Sequence, residues 1–161
     1  MTVEEYNISI DQFADNIFRF ILKNIQDGEK AKDIVQDAYL GLWTKLESVS
    51  FRSVKQYLFK AAYHLMIDLI RHESRLLSID GTDLSEYTHT THYTDINQIL
   101  HNAIKQLPEI QRSVVLLRDY EGYSYEEIGQ ITGLNESQVK VYIFRARSFL
   151  KQYIGSLDKI I

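Results

Sequence analysis

The stretch from residue 123 to residue 150, YSYEEIGQITGLNESQVKVYIFRARSFL, restricts the fold more than any other part of this 161-residue chain. Ser124, followed by Glu127 three residues later, is the signature of a capping box and predicts the start of a helix. Gly133 can adopt the positive φ of a tight turn, and Asn135 is placed to cap a second helix. Two short helices around a glycine turn are typical of a helix-turn-helix, whose second helix enters the DNA major groove. A plain αα-corner with a solvated basic face is the competing interpretation of this segment.

The first half of the chain has three further segments with apolar residues at helical spacing. They run from residue 10 to 25, from 29 to 46 and from 53 to 77. Gly28 is the predicted left-handed residue that ends the first helix. Because three such helices can bury one another, residues 1–77 are predicted to form a small all-α domain.

Residues 78–95 interrupt this pattern. They are rich in Ser, Thr, Asp and Gly and contain no Lys or Arg, which predicts an acidic, flexible linker. Helical spacing resumes afterwards, and Pro108 suits the first position of a helix. Residues 96–161 are therefore predicted to form a second helical domain that ends in the helix-turn-helix. The expected fold class is all-α, with two small helical domains joined by a flexible linker.

Composition limits the function classes. The absence of cysteine excludes disulfides and thiolate metal sites, and no run of eighteen apolar residues predicts a transmembrane helix. Without a signal peptide at the N-terminus, a cytoplasmic protein is expected. The cluster of His89, His92, Asp95 and His101 lies mostly in the linker, so neither a metal nor another cofactor is predicted. No phosphate loop, nucleophile elbow or catalytic carboxylate pair is present, so the chain is not expected to be an enzyme.

Three stretches, taken in order, carry a family resemblance. They are DIVQDAYLGLWTKL (Asp33–Leu46), VKQYLFKAAYHLMIDLIRH (Val54–His72) and the segment Ala103–Leu150 that contains the helix-turn-helix. Together they closely resemble a bacterial RNA polymerase sigma factor of the extracytoplasmic-function (ECF) group. The resemblance covers residues 9–77 and 96–154 and implies promoter-specific initiation of transcription, with recognition of the −35 and −10 elements and assistance in DNA melting.

The first stretch looks like the family's polymerase-binding helix. The resemblance implies that the polar edge formed by Asp33, Gln36 and Asp37 docks on a coiled coil of the polymerase β′ subunit, near an anchor at Leu42 and Trp43. Core RNA polymerase, through its β′ and β subunits, is thus an expected partner. The alternative for Leu42 and Trp43 is that both belong to the hydrophobic core.

The second stretch looks like the family's −10 helix, and the resemblance implies that the loop at residues 48–53 captures a flipped base. The expected DNA contacts of this half are Phe51, Arg52, Lys55, Lys60, Tyr63, His64, Arg71 and Arg75. His64 stands where the family usually has Asn, and imidazole cannot offer adenine the bidentate pattern of an amide. Tyr57 stands where Trp is usual. Core packing is the competing role for the aromatics and is favoured for Tyr57 and Phe59, while the terminal arginines could instead complement the helix C-terminus.

The third stretch looks like the −35-binding domain. The expected contacts are Ser137, Gln138, Lys140, Val141, Tyr142, Phe144, Arg145 and Arg147. Lys140 could contact guanine, and Arg145 and Arg147 are predicted phosphate contacts. Val141 and Tyr142 replace the Ser-Arg pair that is usual in the family, so the −35 preference is expected to differ. The spacing of Phe144 also fits a core position.

A stand-alone helix-turn-helix regulator is the alternative function, although the polymerase-binding and −10 stretches argue against it. Arg112 and Arg118 are either further phosphate contacts or solvated charges. The resemblance implies a membrane-anchored anti-sigma factor as a second partner, while this chain itself does not span the membrane. The charge distribution suggests that the domains pack together in the inactive protein, with the acidic linker over basic DNA-facing surface.

Overall fold

The protein, in a computed structural model that describes residues 1–80 and 96–158, is built from helices. Its N-terminal half contains α1 (Val3–Ile25), α2 (Gly28–Trp43), a 3-10 turn (Phe51–Ser53) and α3 (Val54–Asp80). Its C-terminal half contains α4 (Ile96–Gln106), α5 (Glu109–Val115), a π-helical turn (Leu116–Tyr120), α6 (Tyr125–Thr132) and α7 (Glu136–Asp158). The described residues include no strand, so the all-α prediction is confirmed. The first three residues of the predicted linker continue α3, and the rest of it lies outside the described residues.

The helix-turn-helix is formed by α6 and α7, and its predicted caps are present. The Ser124 hydroxyl accepts a hydrogen bond from the Glu127 amide at 3.1 Å, and the Glu127 carboxylate accepts one from the Ser124 amide at 3.2 Å. Gly133 ends α6 with a φ of 82°. Asn135 and Gln138 exchange amide-to-side-chain hydrogen bonds of 2.8 and 3.0 Å at the start of α7. Local sequence therefore determines both ends of the turn.

The connection between α1 and α2 differs from the prediction. Gln26, with a φ of 58°, is the left-handed residue after α1, whereas Gly28 is already the first residue of α2. The reason is that Asp27 caps α2, where its carboxylate accepts hydrogen bonds from the amides of Glu29 and Lys30. Since Asp27 must be extended for that role, the reversal in chain direction falls on Gln26.

The two halves share one buried core. Phe59 of α3 is fully buried, and its ring centroid lies 5.6 Å from that of Phe20 in α1 and 5.4 Å from that of Tyr123 before α6. α3 also packs along α6, and α1 contacts α4 and α5. Burial of these aromatic side chains stabilises the folded chain, because each removes a large apolar area from water.

A buried polar cluster crosses the same boundary. The side-chain amide of Asn24 in α1 donates to the Phe20 carbonyl at 2.9 Å. Its oxygen accepts hydrogen bonds from the Arg112 guanidinium and the Ser113 hydroxyl of α5, both at 3.1 Å. Asn24 and Ser113 are buried, and these contacts satisfy the polar atoms that would otherwise be costly inside the protein.

Two further contacts connect α1 to the C-terminal half. Arg19 of α1 forms an ion pair of 3.0 Å with Glu121, which follows the π-helical turn. The Lys23 ammonium lies 3.5 Å from the centroid of the Tyr120 ring. Both contacts join α1 to the segment that leads into the helix-turn-helix.

None of the helices in the described part of the chain is long and apolar enough to cross a membrane.

Candidate DNA and polymerase interfaces

The recognition helix α7 has the two faces that its sequence predicts. Val139, Ile143 and Ala146 are buried against the rest of the C-terminal half. The exposed predicted contacts are Ser137, Gln138, Lys140, Val141, Phe144, Arg145 and Arg147. Phe144 is 72% exposed, which excludes the alternative core position, whereas Tyr142 is half-buried and packs against the core.

An open groove of about 650 Å³ separates α7 from the start of α6. Lys140, Val141, Phe144 and Arg147 form its α7 side, and Tyr125 faces them. The Lys140 ammonium lies 3.3 Å from the Glu136 carboxylate and 5.7 Å from the Tyr125 ring centroid. The groove thus combines cations with apolar surface, which suits contacts to phosphates and thymine methyl groups.

Asp119, which was not among the predicted contacts, lies beside the exposed face of α7 and pairs with Arg147. Its two carboxylate oxygens accept hydrogen bonds of 3.2 and 2.6 Å from Nε and Nη2 of Arg147. This pairing raises the pKa of Arg147 and fixes its guanidinium against the π-helical turn. Arg145, by contrast, lies over the Tyr142 ring at 6.0 Å.

Arg112 and Arg118, predicted as either phosphate contacts or solvated charges, both make hydrogen bonds within the fold. Arg112 belongs to the buried cluster with Asn24, and burial lowers its pKa. Arg118 donates a hydrogen bond of 2.9 Å to the Tyr123 carbonyl and stacks over Tyr125 at 4.6 Å. Neither is the solvated charge of the alternative interpretation.

The predicted polymerase-binding helix α2 exposes a mixed polar and apolar edge. Asp33, Gln36 and Asp37 are exposed, and Trp43, at 47% exposure, stacks edge-on against Tyr6 with centroids 5.1 Å apart. Trp43 is therefore fixed in orientation but accessible to a partner.

Leu42 does not belong to this edge. It has no exposed surface, so the structure gives it the alternative core role and not that of a direct polymerase contact. The apolar residue beside Trp43 at the surface is Leu40, which is 63% exposed. Spacing could have found it, because Leu40 lies four residues after Gln36 and three before Trp43, on one helical face.

The predicted −10 residues are dispersed along α3 and the turn before it. Arg52, Lys60, His64, Arg71 and Arg75 are exposed. Phe51 and Lys55 are half-buried, and the Lys55 ammonium lies 5.3 Å from the Tyr123 ring centroid.

Tyr63 is covered in this conformation. It is 5% exposed, and its pKa is raised to about 12, first by burial and then by the Glu109 carboxylate of α5. Its ring is also 5.5 Å from that of His64. Contact of Tyr63 with DNA therefore requires the residues that bury it to move away.

A recess of about 280 Å³ lies where the loop at residues 48–53 meets α3. Its lining comprises Ser48, Val49, Ser53, Gln56, Tyr57 and Lys60. Gln56 was not among the predicted contacts, and its amide is hydrogen-bonded to that of Gln130 in α6. Tyr57 is half-buried: its side chain packs against the core, as the competing role requires, and it also lines this recess.

The candidate metal residues do not form a described site. His89, His92 and Asp95 lie outside the described residues, and His101 is half-buried on α4, where burial and then Lys105 and Lys23 lower its pKa. The described part of the chain contains no group of three potential metal ligands.

Comparison with known proteins agrees with this layout. The family described as Sigma-70 region 2 matches residues 10–76, and Sigma-70, region 4 matches residues 97–150. The chain is 24% identical to the ECF RNA polymerase sigma factor SigM of Bacillus subtilis (strain 168) over 156 residues, which cover 94% of each chain. It is 29% identical to the RNA polymerase sigma factor YlaC of the same organism, over 88% of this chain and 87% of that one.

The fold also matches a solved structure, that of the sigma factor RpoE in complex with the anti-sigma factor NepR from Bartonella quintana. The TM-score is 0.81 at 25% sequence identity, with 95% of this chain and 98% of that chain covered. Sigma-70 region 2 thus matches the N-terminal helical half and region 4 matches the C-terminal half. The similarity to ECF relatives extends over nearly the whole chain. The chain therefore belongs to the sigma-70 family, within its ECF group of DNA-binding transcription regulators.

Proposed function

We propose that this chain directs core RNA polymerase to its promoters by a two-point contact with DNA. In this proposal α2 binds the polymerase, the loop at residues 48–53 and α3 engage and open the −10 element, and α7 reads the −35 element. The observation that carries it is that one chain exposes both the Leu40–Trp43 edge of α2 and the basic face of α7.

The α2 edge has the composition of a helix-docking surface. Leu40 and Trp43 provide exposed apolar area, and Asp33, Gln36 and Asp37 border it with polar groups. An amphipathic edge of this kind fits helix-on-helix recognition, in which a central aromatic supplies much of the binding energy. A helical, partly basic surface of the polymerase is the occupant that this charge pattern favours.

The −10 surface can offset part of the cost of opening DNA. Extruding a base from the stack costs a few kcal/mol, and stacking on an aromatic side chain returns about 1–3 kcal/mol. Phe51 belongs to the loop at residues 48–53, and Tyr57 lines the recess that this loop forms with α3. The exposed Lys60 also lines the recess and is placed to contact the backbone of an unpaired strand.

The experiment is transcription in vitro with added core polymerase, together with comigration of the two on gel filtration. Trp43→Ala should lower the affinity for core polymerase by roughly 30-fold, about 2 kcal/mol, because it removes the exposed aromatic anchor. Ile154→Ala is the matched control, since Ile154 is also an exposed apolar residue but lies at the far end of α7.

The stand-alone regulator makes the opposite prediction. If the purified chain binds promoter duplex at nanomolar concentration without polymerase and does not comigrate with it, the proposed function is wrong.

Two further parts of the proposal concern place and regulation. The chain acts in the cytoplasm, where its polymerase and promoters are, and an anti-sigma factor is its second protein partner. The likeness to RpoE in its complex with NepR supports such a partner. Recovery of an anti-sigma protein with the chain from cells, and loss of transcription when it is added back, would test this part.

A further inference from the structure

The recess beside α3 contains an amide side chain that could identify a base. Gln56 lies in the first turn of α3, on the wall of the 280 Å³ space that Tyr57 and Lys60 also line. Tyr57 contributes an aromatic ring, and Lys60 contributes an exposed cation. The recess thus combines a stacking surface, a positive charge and one amide.

Among the four bases, adenine matches such an amide best. A glutamine side chain offers a carbonyl acceptor and an NH₂ donor, and the pair can bind the N6 and N7 positions of adenine together. His64 cannot provide this pattern. Because Gln56 and His64 are eight residues apart on α3, they are separated by about 12 Å along the helix axis and would meet different nucleotides.

The same amide has a partner on the C-terminal half, with which the N-terminal half is packed in this structure. Its NH₂ group donates to the side-chain oxygen of Gln130 on α6, where α3 and α6 pack together. Both side chains remain accessible to solvent, so the contact is a neutral surface hydrogen bond that can be exchanged at little cost. A base in the recess would replace Gln130 as the partner of Gln56.

We propose that Gln56 determines specificity for one adenine of the displaced −10 strand and that Gln130 occupies its amide until the halves separate. This inference rests on the proposed function, because it assigns a base to the −10 surface.

The test uses holoenzyme and promoter templates whose −10 segment is single-stranded on the displaced strand. Each adenine of that segment is replaced in turn by the other three bases, and complex formation is measured with the unaltered chain and with Gln56→Ala and Gln56→Glu. The unaltered chain should prefer adenine at one position by roughly 5- to 150-fold, the range of one bidentate contact. Gln56→Ala should remove that preference, and Gln56→Glu should shift it towards cytosine, whose N4 donates to a carboxylate.

Gln130→Ala is the matched control, because it removes the other half of the amide pair but should leave the base preference unchanged. Comigration of each variant with core polymerase shows that it is folded. An unchanged adenine preference in both Gln56 variants would overturn the inference, as would an unaltered chain with no adenine preference at any position. Failure of the unaltered chain to support transcription at all would instead refute the proposed function.

Discussion

Arg145 and Arg147 are both exposed on α7, but residues two apart on a helix do not share a face, and their surroundings differ. Arg147 is fixed by two hydrogen bonds to Asp119, and Arg145 lies over the Tyr142 ring. An arginine has five N–H donors, so the pairing with Asp119 still leaves donors on Arg147 for a phosphate. The two residues should therefore contribute differently to folding and to DNA binding.

Replacing each arginine by alanine separates these contributions. Arg145→Ala should reduce the slope of log affinity against log salt by about 0.9, the value for one lost phosphate contact, with the unfolding free energy almost unchanged. Arg147→Ala should flatten the slope similarly and also lower the unfolding free energy by about 0.2–1 kcal/mol, since it removes a partly exposed ion pair. Holoenzyme binding to promoter DNA over a salt series and urea unfolding of the free chain measure the two effects. If the variants and the unaltered chain have equal slopes of log affinity against log salt, neither arginine contacts a phosphate.

At the level of elements, α1 and α5 are joined by the buried Asn24 cluster. Asn24→Ala should lower the unfolding free energy by about 1–3 kcal/mol, because the Ser113 hydroxyl and the Arg112 Nε would lose their acceptor inside the protein. Ser113→Ala should cost less, since Arg112 still satisfies the Asn24 oxygen. In urea unfolding, the double variant should lose less than the sum of the two single changes. Strict additivity would show that these side chains do not act as one cluster.

α5 also brings a carboxylate into the boundary with α3. One oxygen of Glu109 is buried with no hydrogen-bond partner among the described residues. Burial raises its pKa above the ordinary value of 4.5, although Arg112 and Arg71 partly offset this. A carboxyl group with a raised folded-state pKa binds more protons in the folded chain, so its contribution to stability falls as pH rises from about 4.5 through the raised pKa.

Glu109→Gln should remove the loss of stability that Glu109 causes as pH rises, because the amide does not ionise. The variant should resist urea more than the unaltered chain at neutral pH, and the difference should shrink as the pH falls towards 4.5. Unfolding midpoints over a pH series measure it, and Glu126→Gln, on an exposed residue of α6, is the matched control. A constant difference across the series would contradict the assignment.

The positions of the helices could be predicted from the sequence more accurately than the faces that neighbouring helices bury. The caps at Ser124 and Asn135 act within a few residues, so local sequence was sufficient to predict them. Leu42 and Tyr63 were assigned to interfaces but are buried, and Phe144 could have been core but is exposed. Periodicity reports how residues are distributed around one helix. It does not report which neighbouring helix covers each side, and α3 is covered by both α1 and the C-terminal half.

At the scale of the whole molecule, the chain with its two halves packed together is too small to span both promoter elements. A compact chain of 161 residues has a radius of gyration of about 15 Å and is roughly 40 Å across. Elements named for positions −35 and −10 are about 25 base pairs apart, or roughly 85 Å along B-DNA. A chain in which α6 packs on α3 cannot reach both, so we expect the halves to separate on the polymerase. The suggested covering role of the acidic linker concerns residues that lie largely outside those described.

Locking the halves together should therefore abolish promoter use. The chain has no cysteine, so Lys23→Cys with Tyr120→Cys places two unique thiols across the boundary, where the native side chains are in contact. A short bifunctional maleimide should lower transcription from a complete promoter at least tenfold, whereas a monofunctional maleimide should leave it nearly unchanged. Lys30→Cys with Glu73→Cys is the matched control, because that ion pair joins α2 to α3 within the N-terminal half and its cross-link leaves the boundary free to open. Normal transcription by the chain cross-linked between positions 23 and 120 would show that the closed chain can initiate, and the requirement for opening would be wrong.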